Sequence, residues 1–351
     1  MNSGRVRAID PRCEPAWEEF VAWHPEATVF HTSHWARALT AAYGFEPVYY
    51  VLETAQGEIT AALPLMLVRS RLTGHRLVGL PFSDLCPPLA QGADELAALA
   101  MTVQREARRR GLDYVELRGG DADRLVPLGF VTVASLFVRH FMEVPSDLAE
   151  LEPMVHDSAR RGVRKALRSG VEVRRAGPEA LPLFYRLYEA TRRRQRLLPA
   201  PRRFFAAIGE HLLGRGLGAF LLAEIDGEVV ACNLLLWWRQ GMVYKANVSQ
   251  PDRLEVRPNN LLMWHTIALA REMGMRVLDM GRTDADHEGL RRFKSLWAAC
   301  ESPLPYFYYP TPERGQGRRR RALGRALRVL AALCPAWLSR GLSSCLYRHL
   351  A

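Results

Sequence analysis

VLETAQGEITAALPLMLV, residues Val51 to Val68, and LLAEIDGEVVACNLLLWW, residues Leu221 to Trp238, read alike. Each has an apolar run of strand-forming residues, a short polar turn centred on Gly57 or Gly227, and a second apolar run, the pattern of a β-hairpin. A second pair follows each hairpin. REARRRGLDYVELRG (Arg105–Gly119) and ALAREMGMRVLDMGR (Ala268–Arg282) are each a helix end broken by glycine, Gly111 or Gly274, and followed by a strand. The hairpin glycines lie 170 positions apart and the helix-ending glycines 163. A near-constant offset in matching order points to two copies of one α/β unit. The join is expected near Glu143 to Glu150, giving domains at 1–145 and 146–312 and a tail at 313–351.

The first copy opens on a helix capped by Ser33 and closed by Gly44. Strands at Pro47–Leu52 and Ile59–Val68, a segment at His75–Leu80, a helix at Ala93–Arg110, a strand at Tyr114–Leu117 and a strand region at Phe130–Phe141 follow. In the second copy, helices are expected at Ser158–Arg168, Leu181–Arg196 and Phe204–Leu213. A further helix, capped by Asn259 or Asn260, runs through Arg271, and strand Val277–Met280 leads into a polar segment. Trp237, Trp238 and Trp264 read as core.

The chain has 351 residues, 48% of them hydrophobic and 24% charged, enough for two domains with cores of their own. Lys165, Lys245 and Lys294 are its three lysines, so arginine supplies 45 of the 48 basic residues, a bias that reads as genomic and gives no support for nucleic-acid binding. From Arg314 onward there are nine arginines and no acid, which leaves residues 1–313 at +2 against +11 for the whole chain. The six cysteines form no CxxC pair and no signal peptide precedes them, which points to a reducing cytoplasm. The apolar runs are too short or too interrupted to cross a bilayer. No P-loop, HExxH or Gly-x-Ser-x-Gly stands in the sequence, and His31 with His34 lacks a third ligand, so no metal is expected.

Polar chemistry concentrates in GRTDADHEGLRRFKSLWAACESPLPYFYYP, Gly281 to Pro310, directly after a short apolar strand. Asp284, Asp286, His287 and Glu288 are candidate proton acceptors. Lys294 is a compact cation suited to a developing oxyanion or a phosphate. Cys232 and Cys300 read as packed or incidental thiols.

The chain resembles the FemAB-like branch of the GNAT superfamily, which includes BioF2-like acyltransferases and FemAB-related, exosortase-system-associated proteins. The resemblance runs over about residues 20 to 310, through HPEATVFHTSHW, ALPLMLVRSRLTGHRLVGLPF, SARRGVRKALRSGVEV, LYEATRRR, YKANVSQPDRLEVRPNNLLMWHTIALAREMGMRVLDMGRT and LRRFKSLWAACESPLPYFYY. It implies two tandem GNAT-like α/β (α+β) domains, the second holding the active cleft. It also implies transfer of an acyl or aminoacyl group from an activated donor to an amine. Lys294 with Asp284 and His287 would then be catalytic. Arg161, Arg164, Arg194, Tyr244, Asn260, Arg282 and Phe293 would bind substrate, with Thr191, Asp279, Gly281 and Lys165 in the same matching blocks.

Two departures matter. The long helical hairpin inserted in some tRNA-using members is absent, since Pro251 to Pro258 is too short to hold it, and the usual pyrophosphate loop is missing. The expected function is therefore an N-acyltransferase forming an amide on a cell-envelope or polysaccharide-related amine, with an acyl-CoA or acyl-carrier-protein thioester as donor. The alternatives are an aminoacyl-tRNA-dependent transferase and a non-catalytic protein that binds a sugar or lipid carrier. Expected partners are a small-molecule or lipid-linked amine and an acyl carrier protein, in the cytoplasm, with specific tRNA binding not expected. In the tail, Leu323, Ala326, Leu327, Leu330 and Cys334 share one helical face opposite Arg321, Arg325 and Arg328. That face is expected to dock on the protein body, with an anionic membrane or tRNA as the other readings.

Overall fold

In the computed structural model both hairpins form, and Gly57 and Gly227 turn them with φ of +86° and +77°. A side chain would be strained in that left-handed region, so the two turns need glycine for the same reason. The structure describes residues 4–132, 136–311 and 336–350. These form two α/β units, divided at Leu136/Phe137 and again at Pro303/Leu304, with the C-terminal residues from Ser344 assigned to the first.

The first unit contains β1 (Arg5–Ile9), α1 (Pro15–Trp23), α2 (Ser33–Tyr43), β2 (Glu46–Pro47), β3 (Tyr49–Glu53), β4 (Ile59–Leu63), β5 (Met66–Ser70) and β6 (Gly74–Val78). After these come α3 (Ala93–Arg109), β7 (Tyr114–Arg118), α4 (Ala122–Leu125) and β8 (Val131–Thr132). The expected strand Ile59–Val68 is two strands in different sheets. β4 joins the order β1-β3-β4 and β5 the order β2-β5-β6-β7-β16-β8, where β16 is Tyr306–Tyr309. Pro64, which has no N–H to give to a ladder, stands at the break. The cap of α2 is Thr32 rather than Ser33, its side chain accepting from Trp35 N.

The second unit contains β9 (Phe137–Glu143), α5 (Leu148–Leu151), α6 (Asp157–Arg168), β10 (Glu172–Ala176), α7 (Leu181–Arg194), α8 (Arg202–His211), β11 (Gly218–Ile225), β12 (Glu228–Trp238) and β13 (Gly241–Ser249). A 3-10 turn at Pro251–Val256 leads to α9 (Pro258–Glu272), β14 (Val277–Asp284), α10 (Glu288–Ser295) and β15 (Cys300–Pro303). One seven-stranded sheet runs β10-β11-β12-β13-β14-β9-β15. The cap of α9 is Arg257 with proline in the first turn, so Asn259 and Asn260 lie inside the helix and not at its cap.

The two units repeat one plan. β6 pairs parallel with β7 after an intervening helical crossover, and β13 pairs parallel with β14 in the same way. On its far side β7 takes an antiparallel partner from residues 306–309, while β14 takes one from residues 137–143. The expected strand region Phe130–Phe141 is thus shared out: β8 closes the first sheet and β9 enters the second. This places the division nine residues earlier than 145/146 and returns residues 304–311 to the first unit.

The tail face at 323–334 lies outside the described residues. Beyond it, α11 (Ala336–Leu346) carries Arg340, which donates two hydrogen bonds to Glu189 at 2.5 and 2.8 Å. In the first unit, Thr73 Oγ1 donates to the His349 carbonyl at 2.9 Å and Tyr347 lies 5.4 Å from Phe82. Among the described residues no helix is long and apolar enough to cross a membrane.

Candidate active site

β13 and β14 run parallel and paired only from Gly241↔Val277 to Val243↔Asp279. Beyond that point both continue, β13 to Ser249 and β14 to Asp284, without pairing. Their facing backbone edges are left open at the carboxyl ends of two parallel strands, where α/β folds hold ligands.

At the parting point β14 is bulged. Its register against β9 shifts between Asp279 and Arg282, and Gly281 takes φ +73°. Three side chains hold this irregular backbone. Asp279 Oδ1 accepts from Gly281 N at 2.7 Å, and its Oδ2 accepts from Arg139 Nε at 2.8 Å. Lys294 Nζ donates to the Gly281 carbonyl at 3.0 Å and to Thr283 Oγ1 at 2.8 Å. Lys294 is 2% exposed, so its ammonium is a fixed internal cation and not a surface arm.

His140 lies on β9 opposite the bulge, fully buried, with Nε2 3.0 Å from Glu301 Oε2. Burial and the neighbouring Lys294 charge push its imidazole below the usual range, while Glu301 pulls the other way. Glu301 is held in turn by Arg291 through hydrogen bonds of 3.0 and 2.7 Å. His140 and Glu301 were not singled out from the sequence. The alternation in FVRHFME, which turns Val138, His140 and Met142 inward, is the signal that marks the histidine.

The other candidates separate into distinct places. Tyr244 is buried on β13 with its hydroxyl pushed well up by desolvation. Asn260 packs its amide against α6, where a Cβ on Gly162 would stand 2.6 Å from Asn260 Cγ. Its neighbour Asn259 belongs to a polar chain inside the unit. Asn247 Nδ2 donates to Asn233 Oδ1 at 2.8 Å and to Asn259 Oδ1 at 3.0 Å, and Asn233 Nδ2 donates to Thr266 Oγ1 at 3.0 Å. Thr191 Oγ1 donates to the Ser249 carbonyl at 3.2 Å, fixing α7 to the end of β13. Arg161, Arg164 and Arg194 are exposed. Arg282 is exposed and stacks over Phe137 with 4.2 Å to the ring centroid, and half-buried Phe293 meets Trp297 edge-on.

Among the proposed proton acceptors, His287 caps α10, its Nδ1 accepting from Leu290 N at 3.2 Å. With that lone pair in use, the neutral ring carries its proton on Nε2 and offers no free base there. Asp284 is exposed at the open end of β14. Cys232 is fully buried, and desolvation pushes its thiol far up, which leaves no thiolate for nucleophilic work. Among the described residues no three His, Cys, Asp or Glu side chains are grouped to hold a metal ion.

Residues 155–295, from the start of α6 to the end of α10, match the family model of the acetyltransferase (GNAT) domain. The second unit is thus similar to a GNAT acetyltransferase domain over most of its length. No curated protein matches it in sequence. Among solved structures it is similar in fold to FemX, with a TM-score of 0.73 at 17% identity, covering 92% of this chain and 100% of that one. It is also similar to the C-terminal domain of a putative lysylphosphatidylglycerol synthetase from Agrobacterium fabrum, with a TM-score of 0.60 at 12% identity and 92% and 96% of the two chains covered. A tandem GNAT protein from the clavulanic acid biosynthesis pathway gives 0.55 at 14%, with 87% and 98% covered.

The duplicated GNAT fold therefore agrees with the repeat of hairpin and helix–glycine–strand blocks. The expectation that specific tRNA binding is absent is corrected. The fold agrees with that of FemX over 92% of this chain and the whole of that one, so a missing helical insertion and a nearly neutral body do not exclude tRNA. Net charge averages over all faces and hides a local concentration of cations.

Proposed function

We propose that the protein transfers an aminoacyl group from its tRNA ester to a primary amine of a cell-envelope precursor, in the second unit. The agreement in fold with FemX over 92% of this chain and all of that one carries the reading. The open edges of β13 and β14 support it, because they leave backbone donors where an ester carbonyl can lie.

In this reading the amine attacks the ester carbonyl, a C–N bond forms, and the carbonyl oxygen gains negative charge. Backbone N–H groups at the parted strands receive that oxygen, and the Lys294 ammonium behind the bulge supplies a permanent positive potential in a low-dielectric setting. The ester C–O bond then breaks and the ribose hydroxyl departs. The proton lost by the amine passes to Asp284, directly or through water, and reaches the departing oxygen. Arg282 and Tyr244, on the two parting strands, are the residues proposed to orient the substrates.

A thioester donor, acyl-CoA or an acyl carrier protein, is the second reading, favoured by the acetyltransferase description of the matching domain model. Offering the purified protein labelled aminoacyl-tRNAs and acyl-CoAs beside a panel of primary amines separates the two. Amide product from the tRNA ester is expected; amide from acyl-CoA alone would transfer the assignment to the thioester.

A further inference from the structure

α6 turns one face inward. Ala159, Gly162 and Ala166 are buried, and Gly162 lies against Asn260 of α9. Opposite that face stand Arg161, Arg164, Lys165 and Arg168, all exposed, at the i, i+3, i+4, i+7 spacing that puts four side chains in one line. The line is about 10 Å long at 1.5 Å per residue. Among the described residues, the helix's ion pair joins Arg160 to Asp157 at the first turn and leaves these four cations out.

The row continues onto neighbouring elements. α6 and α7 both pack on the 3-10 turn Pro251–Val256. That turn ends on exposed Arg257, and α7 ends on exposed Arg194 three residues past Thr191, which is bonded to the end of β13. Both helices thus reach the turn that follows the end of β13, one of the two strands that part.

We propose that the outer stripe of α6, extended by Arg257 and Arg194, is a docking track for the sugar–phosphate backbone of RNA. The proposal rests on the tRNA-ester reading of the donor and assigns the surface that holds its acceptor stem. A line of four cations with no carboxylate among its own positions matches a regular array of phosphates and releases their counterions. A bilayer fits less well. A helix lying in a membrane interface must insert a broad apolar face, whereas Ala159, Gly162 and Ala166 of α6 are buried inside the unit and Leu167 is its one exposed large apolar side chain.

The test compares wild type with R161Q/R164Q/K165Q/R168Q, four exposed positions, after circular dichroism and melting show the variant folded. Binding of deacylated total tRNA is measured across a salt series. The expected result is at least a tenfold loss of affinity at about 0.1 M salt, with the slope of log K against log salt reduced by roughly one per lost phosphate contact, up to about four. Unchanged affinity and slope overturn the track. Loss of sedimentation with phosphatidylglycerol vesicles, with tRNA binding intact, overturns it in favour of a lipid surface. The two proposals fail separately. If wild type binds tRNA through α6 yet forms no amide from its ester, the donor assignment falls and the surface stands. If wild type forms amide from the ester and the variant binds tRNA equally well, the surface falls and the donor stands.

Discussion

Lys294 shows how burial changes the meaning of a candidate residue. An exposed lysine could be removed with little cost to folding, but this ammonium satisfies the Gly281 carbonyl and Thr283 Oγ1 inside the unit. Lys294→Ala is therefore expected to lower stability by about 1–3 kcal/mol, through unsatisfied buried groups and a cavity, as well as lowering transfer. Lys294→Met keeps most of the volume and removes the charge. It should cost roughly a hundredfold in rate, about 3 kcal/mol in the transition state, while melting closer to wild type than the alanine variant. Transfer kinetics and thermal melts on both variants measure this; a folded methionine variant with full activity would remove Lys294 from the mechanism. In the first unit, His31 is a structural group and not a ligand. Its Nδ1 accepts from Thr28 N at 3.0 Å and its Nε2 faces the Pro87 carbonyl at 3.0 Å, which fits one neutral tautomer. Burial pushes the imidazole from 6.5 down to about 4. Between those values the unfolded chain takes up a proton that the native chain refuses, so this contribution to stability is intact above pH 6.5 and is lost by about 3 kcal/mol as pH falls to 4. His31→Gln should flatten the dependence of the urea midpoint on pH between 7 and 5; an unchanged slope would place the acid sensitivity elsewhere.

The contact of α6 with α9 reverses an ordinary helix preference. Replacing a helical glycine by alanine usually gains about 1 kcal/mol. At Gly162 the new Cβ would meet Asn260 Cγ at 2.6 Å, closer than real contacts allow. Gly162→Ala is expected to destabilise by about 1 kcal/mol net, overpacking outweighing propensity. Asn260→Ala makes room for that methyl, so the double variant should be more stable than Gly162→Ala alone. Denaturant unfolding of the four-member cycle measures the coupling, and additive effects would mean that Asn260 swings aside without strain. The same contact assigns Asn260 a packing role on the inner side of α6, which leaves the cations free on the outer one.

The first unit depends on a strand from beyond its own main stretch of chain. Phe307 on β16 is fully buried in the core of the first unit, between β7 and β8, although more than 160 residues separate it from them. A chain ended at Pro303 lacks that strand and the contacts of His349 and Tyr347 with the first unit. It is expected to lose protease protection throughout residues 4–132 while the seven strands of the second unit, all present, keep theirs. Limited proteolysis with mass spectrometry checks this, and a fully protected first unit would show that β16 is dispensable. A chain divided at 145/146 should fail for the same reason, because the cut also carries β9 away from β14.

Two hairpins, two helix–glycine–strand joints and the amphipathic helices were readable from residue order, because their causes are local: a period of two or 3.6, a turn glycine, a capping side chain. The family resemblance rests on the same blocks. Partner choice over long distances was not readable. FVRHFME and YFYY are both strand-like, and nothing within either segment says that one pairs with β14 and the other with β7. Arg139 and Asp279, whose ion pair steadies the bulge, are 140 positions apart. The burial of Lys294, the inward aim of His140 and the helix-capping use of His287 follow from those pairings. Local sequence therefore specified which segments become strands and helices, whereas tertiary packing decided which charges are enclosed at the parted strands and which remain in water on α6, since burial depends on what the rest of the chain brings alongside.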